Sequence, residues 1–175
     1  MSSERVYIRN VRSSDRREVV ALASASVELH HPWISPPLTS SMFKAYLRRC
    51  HREDHEGVVV CLVGTDEIVG VININNIVRG SFLSASLGYY SSAKHQGMGY
   101  MTDALELVVQ FAFEQLGLHR IEANIQPHNR ASRNLVQRCG FVLEGESKEF
   151  LYINGGWRDH ERWVRTDSRR SLTRG

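Results

Sequence analysis

The chain has 175 residues, of which 42% are hydrophobic and 23% charged, and 22 Lys and Arg against 19 Asp and Glu give a formal charge of +3. That length suits one domain with a true core and is short for two, and the composition is that of a globular protein in water. No uncharged apolar run reaches the roughly 18 residues a membrane-spanning helix requires, so none is expected.

Residues 6–11 alternate like a first strand. Ser14-Asp15 offers a cap for a helix over residues 16–27, where Val19, Val20, Leu22, Ala23 and Val27 recur at helical spacing. The segment His30-His31-Pro32-Trp33-Ile34-Ser35-Pro36-Pro37 then predicts an irregular aromatic loop, and Ser40 or Ser41 caps a second helix to about His51. Strands are expected over 57–63 and 67–77, joined by a turn at Gly64-Thr65-Asp66, with a third over 82–90. A long helix follows over 101–116 and Gly117 ends it. Next come a strand over 119–126, a short helix over 129–138, and two strands over 140–153 and 157–164 flanking the turn Asn154-Gly155-Gly156. Seven strands and about four helices make one α+β domain with a mixed sheet.

Cys50, Cys61 and Cys139 are odd in number and far apart, which predicts free thiols in a reducing compartment. His51 and His55 stand beside Glu53 and Asp54, but no further ligand cluster completes a metal site, so no metal is expected. The start MSSERVYIRN is polar from its first residues and lacks the apolar region of a signal peptide, so a cytoplasmic location is expected. The formal charge resides in the end of the chain. From Arg165 onward there are four arginines and one aspartate, which leaves residues 1–164 near neutrality. The expected organisation is a single domain over 1–164 and a basic, flexible tail over 165–175. The tail leaves a weak contact with ribosomal RNA open, whereas the body is not a nucleic-acid surface by charge.

Gln96-Gly97-Met98-Gly99-Tyr100-Met101 is the most informative segment. It joins an extended stretch to a helix start, where unpaired N–H groups and the helix dipole favour an anion. Gly97 and Gly99 let the backbone approach a pyrophosphate closely. A Walker loop is excluded because no Gly-Lys occurs in the chain, and a dinucleotide fingerprint because Thr102 stands where the third glycine belongs.

With Gln96-x-x-Gly99 after a strand, then Asn129-x-x-Ser132 and Cys139-Gly140-Phe141, the chain resembles the GNAT acetyltransferase superfamily. Asn76-x-Val78-Arg79-Gly80-Ser81-Phe82, Leu87-Gly88-Tyr89, Gly99-x-Met101, His119-Arg120-Ile121, Pro127-His128-Asn129 and Trp157-Arg158-Asp159-His160 are similar to its RimJ/RimL branch of ribosomal-protein alanine N-acetyltransferases. The resemblance spans about residues 4–164. It implies acetyl-CoA as donor and a mostly antiparallel sheet splayed between two parallel central strands, here 82–90 and 119–126, with the pantetheine arm in the gap. By the same resemblance, the backbone around Leu87, Gly88 and Tyr89 would bind that arm. The amides of Gln96, Gly97, Met98, Gly99, Tyr100 and Met101 would hold the pyrophosphate, with Asn129 opposite. Met101 stands where most of the superfamily has Gly or Ala, a departure shared by the RimJ branch.

An α-amino group, with pKa about 7.7–8.0, is roughly one-tenth neutral at pH 7, whereas a lysine near 10.4 is neutral about once in 2,500. Positioning therefore carries most of the expected catalysis. Many relatives use a tyrosine seven residues after the helix Asn; here that residue is Val136, and the resemblance transfers the leaving-group hydrogen bond to Ser132. Among Glu144, Glu146, Glu149, Glu28, His30 and His31, the candidate base is Glu149. Trp33, Asn73, Asn75, Asn76, Arg79 and Phe82 are candidates for binding the acceptor; Asn73 and Asn75, two apart, share one strand face. The favoured reading is acetylation of the N-terminal amine, with alanine first, of a ribosomal protein, by a monomer or homodimer. The alternatives are a small-amine acetyltransferase and a non-catalytic acetyl-CoA-binding ribosome-assembly protein.

Overall fold

A computed structural model describes residues 1–168. In chain order it contains strand β1 (Val6–Asn10), helices α1 (Arg16–Ala25), α2 (Val27–His30) and α3 (Ser40–Cys50), then strands β2 (His55–Leu62), β3 (Ile68–Val78) and β4 (Ser84–Ser91). Helix α4 (Tyr100–Glu114), strand β5 (Arg120–Ile125), helix α5 (Arg130–Arg138) and strands β6 (Val142–Ile153) and β7 (Gly156–Thr166) complete it. The seven strands form one sheet in the order β1-β2-β3-β4-β5-β7-β6, flanked by five helices.

The extra helix arises at Ser26, where the periodicity predicts unbroken helix. Ser26 leaves helical geometry (φ −123°, ψ 21°), and its hydroxyl accepts the Ala93 N–H at 2.9 Å. The chain restarts as the four-residue α2, so His30 lies on a buried helical turn and not in an open loop.

Both faces of the sheet are covered, which explains the unbroken apolar run in β2. Val58 and Val60 pack with α4, while Val59 and Cys61 pack with α1 and α3 beside Val19, Phe43 and Tyr46. Helix α4 buries Ala104, Leu105, Leu107, Val108, Val109, Ala112 and Phe113. Leu105 and Val108 are wholly buried, and each such side chain contributes about 1.5–3 kcal/mol relative to exposure. The helix stops at Gly117 (φ +70°), with the Leu118 N–H folded back onto the Ala112 carbonyl.

Every neighbouring pair is antiparallel except β4 and β5, which α4 connects as a parallel crossover. Those two strands pair only from Ser84↔Arg120 to Leu87↔Ala123. Beyond that point β4 stays with β3, through Tyr90↔Val71 and Ser91↔Gly70. Strand β5 stays with β7, through Asn124↔Arg162 and Ile125↔Glu161. A wedge therefore opens at the carboxyl ends of the two parallel strands, where open sheets of this kind place ligands.

The end of the described chain is more ordered than its basic composition suggests. Arg165, expected in the tail, lies in β7 opposite Ile121 and binds the Glu106 carboxylate and the Cys139 carbonyl. Thr166 pairs with Arg120. The other three tail arginines lie outside the described residues.

Candidate active site

The wedge widens into a cleft of 1340 Å³ bounded by β4, β5, the start of α4, the first turn of α5, and the segment containing α2 and α3. Its β4 wall carries Leu87, Gly88 and Tyr89. Beyond that strand a short 3-10 turn (Ala93–His95) leads to Gln96, Gly97, Gly99, Tyr100 and Met101, which line the same cleft. Asn129 and Ser132 form the opposite wall, and Trp33, Asn73, Asn75, Asn76 and Phe82 line the rest.

The glycine turn depends on two left-handed residues, Gly97 (φ +78°) and Gly99 (φ +82°). A Cβ on Gly99 would press on the Arg5 guanidinium at 3.2 Å. That guanidinium grips Asp103, in the first turn of α4, through two hydrogen bonds of 2.8 Å. It also donates to the Met98 carbonyl at 3.1 Å and lies over the Tyr100 ring. Arg5 thus ties strand β1's entrance to the loop, a contact across 93–98 residues that no local pattern announces. The Gln96 and Met98 amides close onto the Ala93 and His95 carbonyls. Met98 is half exposed and does not line the cleft.

Asn129 is the N-cap of α5, its Oδ1 accepting the Ser132 N–H at 3.1 Å. The Ser132 hydroxyl lies 2.5 Å from the Tyr89 hydroxyl, joining α5 to β4 across the opening. Burial pushes the Tyr89 phenol up to about 12 against the opposing effect of that hydrogen bond. Val136 is completely buried in the core. The Tyr89 side chain was not anticipated, because its significance comes from a contact 43 residues away.

Two buried histidines, one of them unanticipated, line the cleft. His30 Nε2 lies 2.8 Å from the Ser91 carbonyl, which can only accept, so Nε2 carries the proton. Its buried Nδ1 has no partner among the described residues. His160 makes the mirror choice, donating from Nδ1 to the Arg158 carbonyl at 2.9 Å. Burial lowers both imidazole pKa values, each opposed by the backbone hydrogen bond. At the end of β5, Asn124 Oδ1 and Gln126 Nε2 are also buried in the cleft wall without partners among the described residues.

Two of the candidate residues lie outside the cleft. Arg79 does not line the cleft; its guanidinium binds the Leu116 carbonyl and so closes the end of α4. Glu149 does not line it either. It sits exposed at a β6 bulge with φ +47°, its N–H held by the Asp159 carboxylate. Asn73 finds an internal partner, the Tyr46 hydroxyl at 2.7 Å, while still facing the cleft. Among the described residues, the one carboxylate in the lining is Glu122, bound to Arg120 at 2.8 Å.

The splayed parallel pair, the glycine turn at a helix N-terminus and the capped α5 together define an acyltransferase of the GNAT type. The acetyltransferase (GNAT) domain model matches residues 5–142, and the chain belongs to that family, whose members use acetyl-CoA. Over 94 residues it is 47% identical to the [ribosomal protein uS5]-alanine N-acetyltransferase of Escherichia coli K12, a stretch covering 54% of this chain and 48% of that protein. It is also 33% identical over 95 residues to a spermidine N(1)-acetyltransferase of Vibrio cholerae, covering 54% and 53%. The chain thus spans about half the length of these two relatives. The solved structure of Mycobacterium smegmatis RimJ in complex with CoA-disulfide superimposes with a TM-score of 0.86 at 30% identity, covering 94% of this chain and 83% of that one.

Proposed function

We propose that this protein transfers the acetyl group of acetyl-CoA to the N-terminal α-amine, with alanine first, of a ribosomal protein. The observation favouring a peptide over a polyamine is the near absence of acid in the cleft. A polyamine carries several positive charges, and charges taken out of water need partners. Among the described residues lining the cleft, Glu122 is the only carboxylate and it already serves Arg120. The acceptor side is instead amide and apolar, with Asn73, Asn75, Trp33 and Phe82.

The residues present suit acetyl-CoA. Its pantetheine arm carries amides, which match the unpartnered Asn124 Oδ1 and Gln126 Nε2 and the β4 backbone beyond Leu87, where β5 no longer pairs. The Gln96 and Met98 amides are engaged, so the diphosphate falls to the amides of Gly97, Gly99, Tyr100 and Met101. When bound, acetyl-CoA supplies an activated acyl group whose thiolate leaves. The β4 backbone near Leu87 and Tyr89 would polarise the acyl oxygen, and Ser132 would offer a hydrogen bond to the thioester sulfur. His30 and His160 are neutral at pH 7, so neither repels an incoming ammonium nor competes for its position. An α-amine loses its proton readily enough to need no strong base.

The decisive assay offers purified protein an alanine-initiated peptide from a ribosomal protein and, separately, spermidine, each with acetyl-CoA. Peptide acetylated at its α-amine, and spermidine left unmodified, is the expected outcome. The reverse would assign the site to small amines, and no CoA release with either would assign a binding role without turnover.

A further inference from the structure

The contact between Tyr89 and Ser132 does more than close a gap in packing. Tyr89 stands on β4 two residues past Leu87, the last residue that pairs with β5, so its ring borders the open wedge. Ser132 is fixed from the other side, its N–H bound to the Asn129 cap. Two hydroxyls 2.5 Å apart share one proton between them as donor and acceptor, and the second proton must go elsewhere. A phenol is far more acidic than an alcohol, so it is the better donor, and the alcohol oxygen the better acceptor. That favours the order Tyr89 O–H to Ser132 Oγ over the reverse, which the 2.5 Å contact alone would equally allow. In that order the Ser132 proton is left free for an acceptor in the cleft, which Ser132 lines. Hydrogen bonds in series polarise one another and strengthen the terminal donor.

We propose that Tyr89 is a positioning residue for acetyl transfer, holding Ser132 through its phenolic hydroxyl so that Ser132 donates into the cleft to the sulfur that leaves. This rests on the acetyl-transfer reading given above. The amine nitrogen bonds to the acyl carbon, the carbon–sulfur bond breaks, and its electron pair goes to sulfur. The amine's proton passes to water and the thiolate takes its proton from solvent, so neither hydroxyl is consumed. With burial pushing its phenol up to about 12, Tyr89 stays protonated through neutral pH and so keeps a proton to donate.

The test compares the native protein with Tyr89→Phe, Ser132→Ala, Ser132→Thr and the Tyr89→Phe/Ser132→Ala double variant. Steady-state kinetics use whichever amine the native protein acetylates, and calorimetry measures CoA affinity. Tyr89→Phe should lower kcat about tenfold, the ~1.4 kcal/mol of one neutral hydrogen bond, while the KM for acetyl-CoA and the CoA affinity stay within about twofold. Ser132→Thr, which keeps the hydroxyl, should retain most activity. The double variant should be no slower than Ser132→Ala alone, because Tyr89 acts through Ser132. An unimpaired kcat in Tyr89→Phe, losses that multiply in the double variant, or a fall in CoA affinity that accounts for the loss would each overturn the inference. A native protein that acetylates neither peptide nor spermidine overturns the functional reading itself, and this inference with it.

Discussion

Replacing Asn129 with alanine separates what the α5 cap does for the fold from what it does for chemistry. Helix α5 has nine residues, and among them only Val136 is buried, so it has little packing to hold it. Its first turn relies on the Asn129 side chain, which accepts the Ser132 N–H at 3.1 Å. Losing such a cap costs about 1 kcal/mol, which for a chain of this size lowers Tm by about 2–4 °C. Scanning calorimetry without ligand reads that change. Because Ser132 occupies the same turn, kcat should fall as well. Asn129→Asp keeps an oxygen acceptor at the cap and adds a charge the helix dipole favours, so Tm should return. Like the Ala variant it lacks the amide's two donors, so the affinity for CoA should be below native in both. An unchanged Tm in Asn129→Ala, or an Asp variant as unstable as the Ala variant, would refute this account of the helix.

Arg5→Ala should raise the KM for acetyl-CoA with little change in kcat, since Arg5 braces the glycine turn through Asp103 and the Met98 carbonyl, while Ser132 is held by Tyr89 and Asn129; an unaltered KM would show that the turn holds its shape unaided. Arg5→Lys keeps the charge but not the fork, and should fall between the two. His30 and His160 are both held neutral by burial, so the unfolded chain takes up protons first as pH drops below about 6.5. Stability should therefore decline from there toward their lowered folded values. Tm measured between pH 7 and pH 5 should show that slope, and it should be shallower in a His30→Gln/His160→Gln variant; an identical slope would place the acid sensitivity elsewhere.

Features governed by local chemistry were legible in the sequence. Gly97 and Gly99 announce a left-handed turn because only glycine enters that region freely. Asn129 announces a helix start, and the run from Val58 to Cys61 announces a strand. What escaped was decided by distant partners. Ser26 breaks a regular helix because Ala93, 67 residues on, needs an acceptor. Arg79 is drawn to the Leu116 carbonyl instead of the acceptor side. Glu149 follows no simple alternation because β6 slips register between Ser147 and Leu151. Arg165 reads as part of a charged tail, yet Glu106 and the Cys139 carbonyl hold it in β7. The Tyr89 hydroxyl is invisible for the same reason: nothing near it in sequence shows that Ser132 will stand opposite.

Four residue pairs are all that stitch β4 to β5. The molecule is in effect two panels, β1 to β4 and β5 to β7, joined along a short seam and backed by α4. An extended guest lying along the rest of that seam would supply the missing rungs, acting as mortar as well as reagent. The protein would then borrow part of its rigidity from the molecule it consumes, and each release of spent guest would loosen the joint between its halves.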